Sequence, residues 1–587
     1  MQTQQVRGWI VLGVLALSSV GPALALDEKL PDSEVLMRAL ADEMTRSLKL
    51  QMEDLEKPYF VEYDVEDNVV YQLTADYGSI TGSQRGRSRE FRSRVRVGSP
   101  ELDNTHFIES EGLFLGGGGS AQASLPIDDD YVAIRQAIWR VTDDDYKNAV
   151  ETLTRKRAYM KDKNIVDRPN DFSPAPSVQK VEPTAELRFD QAGWEENLKQ
   201  ISAHFKKYAQ VQESGARLFA GAGNAYVVNS EGTRLRTGDA LALLIVTAAV
   251  QADDGMKLSA SRSYTGHSTD DLPPVAKIIG DVDELVAELT AAMKAPIVEQ
   301  YSGPVLFDDR AAAQLFRGLL AGGLVGKPDP VGEQRRAQQG AENLETKLGT
   351  RILPKSFQVW DDPTAAKFGQ DILLGHYRCD DEAVPAARVD LVKDGKLEEL
   401  CLSRAPTKKL SGSNGHARRA PSGGAPEPAI GCLFIRDDAG VPAAELKKKL
   451  IEAAKDAGLE YGVRIKGLRS TDATSGRADL LSLFMRMQRG NAGALGDPAV
   501  AYKVYVADGH EEPFRGCEFG PVEVAALKKI IAAGDTPQVY NYMGLGMGGA
   551  TPPASIIAPP VLFEELELSK IQQEYDKPPL LAAPLFR

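Results

Sequence analysis

The sequence has few cysteines and histidines and no long uncharged apolar run. Only four cysteines and six histidines occur among 587 residues, which excludes a cysteine-dense secreted scaffold. Beyond the N-terminus, every apolar stretch is broken by a charge, glycine or proline before it reaches the ~20 residues that span a bilayer, so we expect no integral membrane segment after signal cleavage. The net charge is −14. That sign argues against nucleic-acid binding, because phosphate contacts need a basic surface.

The first 25 residues have the pattern of a secretory signal peptide. Arg7 precedes an apolar run from Trp9 to Leu17, and Ala23-Leu24-Ala25 supplies small residues for a cleavage position. We therefore expect the mature chain to start near Leu26 and to be periplasmic or secreted. An uncleaved signal that acts as an N-terminal tether is the alternative.

The remaining chain has the composition of a globular protein and is long enough for more than one core. Hydrophobic residues make up 43% and charged residues 26%, and single cores stop growing at ~250 to 300 residues. Mixed strand and helix patterns predict an α/β (α+β) fold. We place a domain boundary at Pro296, which gives a signal peptide (1–25), a mixed α/β N-terminal domain (26–296) and a sheet-rich C-terminal domain (297–587).

Hydrophobic periodicity locates the main elements. It predicts helices over Ser33–Leu50 (with Ser33 as the cap), Tyr131–Lys161, Trp194–Tyr208, Val282–Met293, Arg310–Leu324, Ala443–Ala457 and Val522–Ala533. It predicts strands over Tyr59–Val65, Val69–Leu73, Phe91–Val97, Tyr226–Val228 and Leu241–Val250. Glycine, serine and proline content predicts loops over Ser411–Pro428 and Gly544–Pro560.

Several charged or glycine-rich clusters resemble sites but have simpler explanations. Arg92, Arg94 and Arg96 alternate with apolar residues, which predicts an exposed strand face. The acidic pairs and triplets fit solvated turns, with a carboxylate-pair hydrolase as the outside option. They are Asp361-Asp362 and Asp380-Asp381-Glu382. Neither the Gly116–Gly119 run nor Gly412-Ser413-Asn414-Gly415 has the spacing of a phosphate loop or a serine-nucleophile turn.

A series of short segments resembles the TldD/PmbA family of zinc peptidases. They lie in the family's order and cover most of the mature chain: Pro58-Tyr59-Phe60-Val61-Glu62-Tyr63, Leu102-Asp103-Asn104-Thr105, Asn229-Ser230-Glu231-Gly232, Tyr301-Ser302-Gly303-Pro304-Val305-Leu306-Phe307, Asp361-Asp362-Pro363-Thr364, Asn414-Gly415-His416-Ala417-Arg418 and the run from Ala554 to Lys570. The first two resemble the exported branch of the family. The resemblance implies a two-domain fold, and dimers that enclose a cavity where extended peptides are cut.

The helix that holds zinc in the active family member carries His-Glu-x-x-x-His, and a later cysteine completes the site. At the matching positions this chain has Arg317, Gly318 and Gly322, and the cysteine position falls within Met543–Met547, where there is no thiol. Arginine offers only donors and glycine offers no side chain, so these positions cannot bind zinc. We therefore expect no zinc cofactor.

The resemblance is closest to the non-metal partner subunit of the family. The leading hypothesis is an exported protein that binds peptides or unfolded segments, as a homodimer or as a heterodimer with a family member. Candidate peptide-binding residues are Arg317, Asn414 and His416. The alternatives are an active metallopeptidase with an unrecognised site and a non-enzymatic envelope scaffold.

A metal site at a different place can be assembled from histidine and cysteine residues in the C-terminal half. The residues are His376, Cys379, Cys401 and His416, whose spacing matches no zinc signature. Packed or bridged cysteines are the simpler interpretation. The disulfide state of Cys379, Cys401, Cys432 and Cys517 stays open.

Overall fold

The computed structural model describes residues 34–52, 54–108, 121–332, 343–420, 424–469, 495–543, 552–573, 575–576 and 579. The predicted signal peptide (1–25), the cap residue Ser33, the Gly116–Gly119 run and residues 544–547 lie outside these ranges. Within the described ranges, no helix combines the length and the apolar composition needed to cross a bilayer.

The described chain up to Lys294, called the N-terminal part below, combines long strands with four helices. Its elements are α1 (Val35–Ser47), β1 (Pro58–Asp76), β2 (Ser79–Ser99), β3 (Leu102–Asp103), β4 (Phe107–Ile108), β5 (Ala121–Ser124), α2 (Tyr131–Asp162), β6 (Gln179–Val181), α3 (Gln191–Ala203), β7 (Glu213–Asn229), β8 (Arg234–Gln251), β9 (Lys257–Gly266) and α4 (Val275–Lys294).

These strands form one eight-stranded sheet whose central order is β3-β2-β1-β7-β8-β6, with β5 paired to β2 and β9 paired to β8. β1 is one continuous strand, although two shorter strands were predicted. Asp67 and the neighbouring polar Asn68 stay in the strand because the Asp67 carboxylate pairs across to Arg87 at 2.9 Å and to Arg89 at 2.7 Å. Cross-strand ion pairs thus hold a polar stretch that the hydrophobic pattern alone would end.

The chain from Gln300 onward, called the C-terminal part below, contains many shorter strands. Its elements are β10 (Gln300–Phe307), α5 (Arg310–Leu319), β11 (Val331–Gly332), β12 (Phe357–Asp361), β13 (Lys367–Phe368), β14 (Asp371–Ile372), β15 (Val389–Lys393), β16 (Lys396–Leu397), β17 (Ala417–Arg418), β18 (Glu427–Pro428), β19 (Cys432–Asp437), α6 (Ala443–Asp456), β20 (Tyr461–Leu468), β21 (Pro498–Tyr505), β22 (Glu511–Phe514), β23 (Cys517–Phe519), β24 (Ile530–Ala533), β25 (Gln538–Tyr542), β26 (Ala554–Ala558) and β27 (Val561–Lys570).

Two sheets of the C-terminal part enclose helix α5. One sheet has the order β22-β21-β20-β10-β27-β23, with β24 paired to β27, and the other has the order β16-β15-β12-β19-β26-β25. α5 contacts β20 in the first sheet and both β25 and β26 in the second. Ala311, Leu315 and Phe316 are fully buried in a core shared by both sheets. Burial of each larger side chain contributes roughly 1.5–3 kcal/mol, which fixes α5 in place.

Some element boundaries differ from the predictions. The predicted helix Val522–Ala533 is a short 3₁₀ turn over Val524–Lys529 followed by strand β24, because Ile530 pairs with Phe563 of β27. The predicted loop Gly544–Pro560 contains strand β26, which lies between β19 and β25. The α2 prediction is confirmed to within one residue at its C-terminus.

The arginines of β2 do not form an exposed face, contrary to the prediction. Arg92 and Arg96 are buried, and Arg94 donates from Nη2 to the Asp381 carbonyl oxygen at 3.2 Å. Each of the three pairs with a carboxylate: Arg92 with Asp64, Arg94 with Glu62 and Arg96 with Asp103. The paired carboxylates offset the cost of burying these positive charges. The prediction of an exposed face was wrong because it considered only that arginines usually lie at the surface.

Buried arginines of the C-terminal part also reach the N-terminal part. Arg419 pairs with Asp64 at 2.7 Å. Arg404 is 1% exposed, donates from Nε to the Ser173 carbonyl at 2.9 Å and pairs with Glu231 at 2.7 Å. These buried ion pairs join the two parts of the chain. Removing one partner of such a pair is strongly destabilising, because the other charge then stays buried without compensation.

The acidic clusters are not solvated turns either. Asp361, Asp380 and Glu382 are buried. The Asp380 carboxylate accepts from the backbone N–H groups of Val384 at 2.8 Å and Ala417 at 2.9 Å. These carboxylates therefore hold the backbone of the surrounding loops in place through hydrogen bonds. A carboxylate-pair hydrolase needs carboxylates that reach solvent and substrate, and these are buried.

Candidate functional site

The positions that the family resemblance assigns to zinc ligands lie at the end of α5. The α-helix ends at Leu319, and a 3₁₀ turn over Ala321–Gly323 follows, whereas one helix to Leu324 was predicted. Gly318, Gly322 and Gly323 explain the early end, because glycine is the poorest ordinary helix former. Arg317 and Gly318 thus lie on the α-helix, and Gly322 lies in the turn after it.

The side chains at these positions do not fit zinc. The Arg317 guanidinium lies 4.3 Å from the ring centroid of Tyr542, and its Nη1 donates to the Tyr540 hydroxyl at 3.3 Å. A guanidinium offers donors only, and the two glycines provide no ligand atom. An arginine stacked on tyrosine therefore replaces the metal-binding constellation at the end of α5.

A cavity of about 460 Å³ opens beside α5, between the two parts of the chain. One wall is strand β9 of the N-terminal part. The other wall comes from the C-terminal part and includes Gln314 of α5, Lys367 and Asp371 of the short hairpin β13–β14, Arg469 after β20, and Tyr540 of β25. The volume falls within the range of small-molecule and peptide pockets.

One backbone edge of strand β9 faces this cavity. Seven consecutive residues, Ser259–Thr265, line it, and among the described strands β9 pairs only with β8. The Ala252 N–H donates to the Met256 carbonyl, and the β8–β9 register continues from that pair. Hydrogen-bonded pairs alternate in an antiparallel ladder, so the even-numbered residues of β9 bond to β8. The N–H and C=O groups of the odd-numbered residues, 259 to 265, point away from β8.

The side chains of β9 divide in the same alternating way. Ala260 and Tyr264 pack on the core beneath the sheet, and Arg262 pairs with Glu288 of α4 at 2.9 Å. The Tyr264 hydroxyl donates to Asp281 at 2.8 Å, and burial raises the pKa of Tyr264. Along the cavity, the opposite face carries small hydroxyl side chains, at Ser259, Ser261, Ser263 and Thr265. Small side chains leave room for another chain beside the edge.

Two contacts from the C-terminal part already reach this edge. Arg310 donates from Nη1 to the Ser261 carbonyl oxygen at 3.2 Å. Asn541 donates from Nδ2 to the Thr265 hydroxyl at 3.3 Å. The Arg310 hydrogen bond occupies the Ser261 carbonyl, which is one of the acceptors that a peptide N–H would use. Ser263, the next residue whose backbone groups point away from β8, is exposed.

The charges lining the cavity contrast with the acidic chain. Four cationic side chains and two carboxylates line it: Arg262, Arg310, Lys367 and Arg469 against Asp271 and Asp371. The Ser268 backbone N–H bonds Asp271 and lowers its pKa, so this carboxylate is ionised at neutral pH. Arg262 is compensated by Glu288 outside the cavity. The other cationic side chains of the lining are those of Arg310, Lys367 and Arg469.

The other two predicted peptide-binding residues do not reach the cavity. Asn414 accepts from the Leu402 N–H at 2.7 Å and donates to the Leu400 carbonyl at 2.8 Å. His416 is completely buried, with Nε2 3.1 Å from an Asp361 carboxylate oxygen. Both residues hold loops together inside the C-terminal part, away from the cavity. Arg317 does not line the cavity, but it contacts Tyr540, which does, and it stacks on Tyr542.

The predicted histidine and cysteine set is brought together only in part. His376 bonds the Pro363 carbonyl at 2.9 Å, and Cys379 packs beside Ala383. Cys401 and His416 instead meet Asp361, and one donor atom from each lies within 4.8 Å of the others. The described residues contain no other such group of three or more. The four cysteines are free thiols.

The Asp361–Cys401–His416 group is enclosed on all sides. Each of the three residues is 0% exposed, and the Gly431 N–H bonds both Asp361 oxygens. Burial lowers the pKa of an imidazole, but the Cys401 sulfur and the Asp361 carboxylate together raise the pKa of His416 to about 11. The hydrogen bonds of the Asp361 carboxylate to His416 and to the Gly431 N–H satisfy its oxygens without an ion. Any metal held here would be structural, because a catalytic ion needs an open position.

Comparison with known proteins agrees with this architecture. Residues 300–477 match the family described as the PmbA/TldA metallopeptidase C-terminal domain. A segment of 80 residues is 38% identical to a metalloprotease of Archaeoglobus fulgidus, over 14% of this chain and 17% of that protein. By this match, the C-terminal part of the chain is similar to the TldD/PmbA family. The predicted family and the predicted α/β (α+β) class are confirmed.

Solved TldD/PmbA-like structures extend the likeness to nearly the whole chain. TldE from Thermococcus kodakarensis is 14% identical, with a TM-score of 0.56 over 90% of this chain and 100% of that one. Two proteins described as candidate modulators of DNA gyrase give TM-scores of 0.57. The one from Thermotoga maritima is 13% identical over 91% of this chain and 99% of its own, and the one from Bacteroides thetaiotaomicron is 12% identical over 92% and 99%. At these identities the likeness concerns the fold.

Sequence reasoning missed strand β9, although a signal was present. The segment Ser259-Ala260-Ser261-Arg262-Ser263-Tyr264-Thr265 alternates hydroxyl residues with larger ones. Period-two alternation is the mark of a strand with two different faces. The hydroxyl face was not recognised because strand predictions follow apolar residues, and only Ala260 and Tyr264 supply them here.

Proposed function

We propose that this protein is an exported, zinc-free member of the TldD/PmbA family that binds extended polypeptide segments in the cavity between β9 and α5. The observation that carries the proposal is the edge of β9 from Ser261 to Thr265, which lies along one wall of that cavity and pairs with no other described strand. Main-chain hydrogen bonds to a sheet edge recognise an extended peptide largely independently of its sequence.

The chemistry of α5 supports a binding role over zinc hydrolysis. Arg317, Gly318 and Gly322 cannot hold a divalent ion or accept a proton from a bound water. The Asp361–Cys401–His416 group contains ligand types that zinc accepts, but it is fully enclosed, so it does not support the alternative of an active peptidase with another metal site.

The proposed partner is a family member that carries an intact His-Glu-x-x-x-His helix. TldE, one of the structural relatives, is matched over its whole length. In such a pair this chain would hold the extended segment, and the partner would supply the hydrolytic ion. A homodimer that binds peptides without cutting them is the simpler form of the same proposal. If no peptide binds, the alternative of a non-enzymatic envelope scaffold is favoured.

The N-terminal 25 residues support export to the periplasm or the medium. Expression of the full-length chain in its own host, followed by fractionation and N-terminal mass spectrometry, tests this part. We expect a mature N-terminus near Leu26 in the periplasmic or secreted fraction. An intact Met1 in a cytoplasmic fraction would contradict export without touching the binding proposal.

The binding function is tested on the purified mature chain with three measurements. We expect less than 0.1 zinc per chain by elemental analysis, no peptide cleavage with or without chelator, and binding of fluorescein-labelled seven-residue peptides of high β-propensity. The Cys401→Ser variant is the control for metal content, since it removes one ligand of the enclosed group. Chelator-sensitive cleavage by the chain alone would overturn the proposal, and so would failure to bind any extended peptide.

A further inference from the structure

The outer edge of strand β2 is open along the first half of the strand. Residues Ser83 to Ser88 are all exposed, and the strands that pair with this side of β2 begin only at Glu90, with β5, and at Gly98, with β3. We propose that this edge is the surface through which two copies of the chain form a dimer, with their β2 strands paired antiparallel. This inference does not depend on peptide binding at β9.

Alternate residues of β2 direct their backbone N–H and C=O groups away from β1. The Val95 N–H donates to a carboxylate of helix α2 at 2.9 Å, and the Arg89 carbonyl accepts from the Leu125 N–H at 2.7 Å. The register with β1 is regular from there down to Gly82, so the next outward groups belong to Arg87, Arg85 and Ser83. No described strand pairs with these three residues on that side. Such an edge is a template for pairing with another chain.

One register makes two copies of this edge complementary. With Gln84 on the two-fold axis, Ser83 of each copy lies opposite Arg85 of the other, and Gly82 lies opposite Gly86. Ser83 and Arg85 then exchange backbone hydrogen bonds, and the two Gln84 residues form a close pair with Cα atoms ~4.5 Å apart. A register centred on Arg85 would instead place two like charges directly opposite each other, which is destabilising.

Gly86 supports the close approach of a second chain. Its φ angle is not positive, and a methyl group added to it would meet nothing within 4 Å. Neither the backbone conformation nor the packing of the described chain therefore requires glycine here. Glycine weakens the middle of a strand, and it often marks a place where another backbone approaches closely. In the proposed register Gly86 lies beside the Gln84 pair, on the same face of the sheet, and leaves room for the two amide side chains.

The arginines of this edge are compatible with the pairing. Arg87 is compensated by Asp67 of β1 at 2.9 Å. Arg85 is exposed and lies opposite Ser83 of the second copy, so the second Arg85 is only a diagonal neighbour. Long, solvated side chains in that arrangement repel each other weakly. Added salt screens the repulsion, so it should favour the dimer.

The dimer would place both cavities on one side of a continuous sheet. One row of side chains runs across β2, β1, β7, β8 and β9 on a single face: Gln84, Gln72, Phe219, Leu243 and Thr265. Thr265 lines the cavity. A two-fold axis through Gln84 is perpendicular to the sheet, so both copies present the same face to the same side. The two β9 edges then lie at opposite ends of the joined row.

A cysteine on the axis tests the register. Gln84→Cys should form an intermolecular disulfide under mild oxidation, because Cα atoms ~4.5 Å apart lie within the range of disulfides. Ser88→Cys is the matched control, since it is an exposed residue on the same face of the same strand. The proposed register holds its two copies ~27 Å apart, at ~3.4 Å per residue. Non-reducing electrophoresis should show at least about tenfold more cross-linked dimer for Gln84→Cys, and the parent controls for the four native thiols.

A proline at Arg85 tests the backbone pairing. It removes an N–H that bonds in the dimer but not to β1. Arg85→Pro should therefore raise the dimer dissociation constant at least about tenfold in sedimentation velocity, whereas Arg85→Ala should dimerise at least as well as the parent because it keeps the N–H and removes a charge. Gln84→Cys keeps the test valid if Arg85→Pro folds poorly.

Three results would overturn the inference. The first is a parent chain that stays monomeric up to about 100 μM, where even a weak specific interface would be populated. The second is a dimer that Gln84→Cys does not cross-link and Arg85→Pro does not weaken, because such a dimer uses another surface. The third is an edge that pairs only with a different family member, since the proposal commits it to a second copy of this chain.

Discussion

Arg310 of helix α5 donates a hydrogen bond to the Ser261 carbonyl of strand β9 at 3.2 Å. This contact joins the edge of the N-terminal sheet to the helix that the family resemblance identifies with the zinc site. The peptide-binding edge and the altered metal helix are therefore neighbours, and changes in one are expected to affect the other.

A proline at Ser263 is expected to abolish peptide binding. The Ser263 N–H points away from β8, so proline removes a donor that a peptide needs without removing a hydrogen bond of the sheet. We expect Ser263→Pro to weaken binding of a seven-residue peptide at least tenfold. The unfolding free energy should change by no more than about 1 kcal/mol, since edge positions tolerate proline.

Ser263→Ala is the control for the loss of the hydroxyl, and it should bind the peptide as the parent does. Binding is measured by fluorescence polarisation and stability by urea denaturation. Undiminished binding by Ser263→Pro, in a variant with a parent-like circular dichroism spectrum, would show that the peptide does not pair with β9.

Loss of Arg404 is expected to destabilise the protein strongly. Its guanidinium is almost fully buried, pairs with Glu231 and bonds the Ser173 carbonyl. Removing one partner of a buried pair costs about 3–5 kcal/mol. Arg404→Ala should therefore lower the unfolding free energy by about 3 kcal/mol in urea. Arg436→Ala, at a residue whose side chain is 61% exposed, should cost less than about 1 kcal/mol; equal effects would contradict the assignment.

Asp145 is expected to make the protein less stable as the pH rises toward neutrality. Burial raises the pKa of Asp145 to about 7, partly opposed by its hydrogen bonds, one of which comes from the Val95 N–H at 2.9 Å. The folded pKa lies above the unfolded value of 3.8, so the folded state holds the proton more tightly. Stability gained from this proton is complete below about pH 4 and is lost as the pH rises through 7, by up to about 4 kcal/mol.

Asp145→Asn removes this titration and should flatten the stability profile between pH 4.5 and 7.5. The expected signature in urea unfolding is a variant that gains stability relative to the parent as the pH rises. Asp144→Asn, an exposed change on the same helix, should follow the parent. Parallel profiles for the parent and Asp145→Asn would show that the buried carboxyl does not titrate in this range.

Two glycines in the Ser411–Pro428 segment test why the Asn-Gly-His turn has its sequence. Gly415 and Gly412 have similar positive φ angles of 78° and 85°. A methyl group at Gly415 would lie 2.3 Å from the Pro385 carbonyl oxygen, whereas nothing lies within 4 Å of one at Gly412. We expect Gly412→Ala to cost about 1 kcal/mol for backbone strain, and Gly415→Ala to cost about 2 kcal/mol more. Thermal and urea unfolding of both variants measure the difference, and equal costs would contradict the packing explanation.

The sequence predicted what depends on local pattern and missed what depends on partners far along the chain. Helix α2 was predicted almost to the residue because its periodicity is carried by its own side chains. The β2 arginines and Asp361 were predicted to be exposed because their partners, such as Asp64 and His416, come from other segments of the chain. Strand β24 was predicted as helix because its pairing with β27 overrides a helical pattern.

The candidate site divides in the same way. The residues that replace the two zinc-binding histidines, Arg317 and Gly322, follow from the sequence once the family is recognised. The cavity does not, because β9 and Arg310 come together only through the packing of the N-terminal sheet against α5. His416 was selected from a motif, but burial against Asp361 gives that motif a structural role.

The cavity walls belong to two separately built layers, with β9 in one sheet and α5 between two others. A ligand that bonds the β9 backbone and Arg310 at once would act as a clamp between these layers. Its binding would then raise the melting temperature of both parts together, by mass action on a shared native state. An increase in the melting temperature of the whole chain would therefore indicate that a ligand occupies the cavity beside β9.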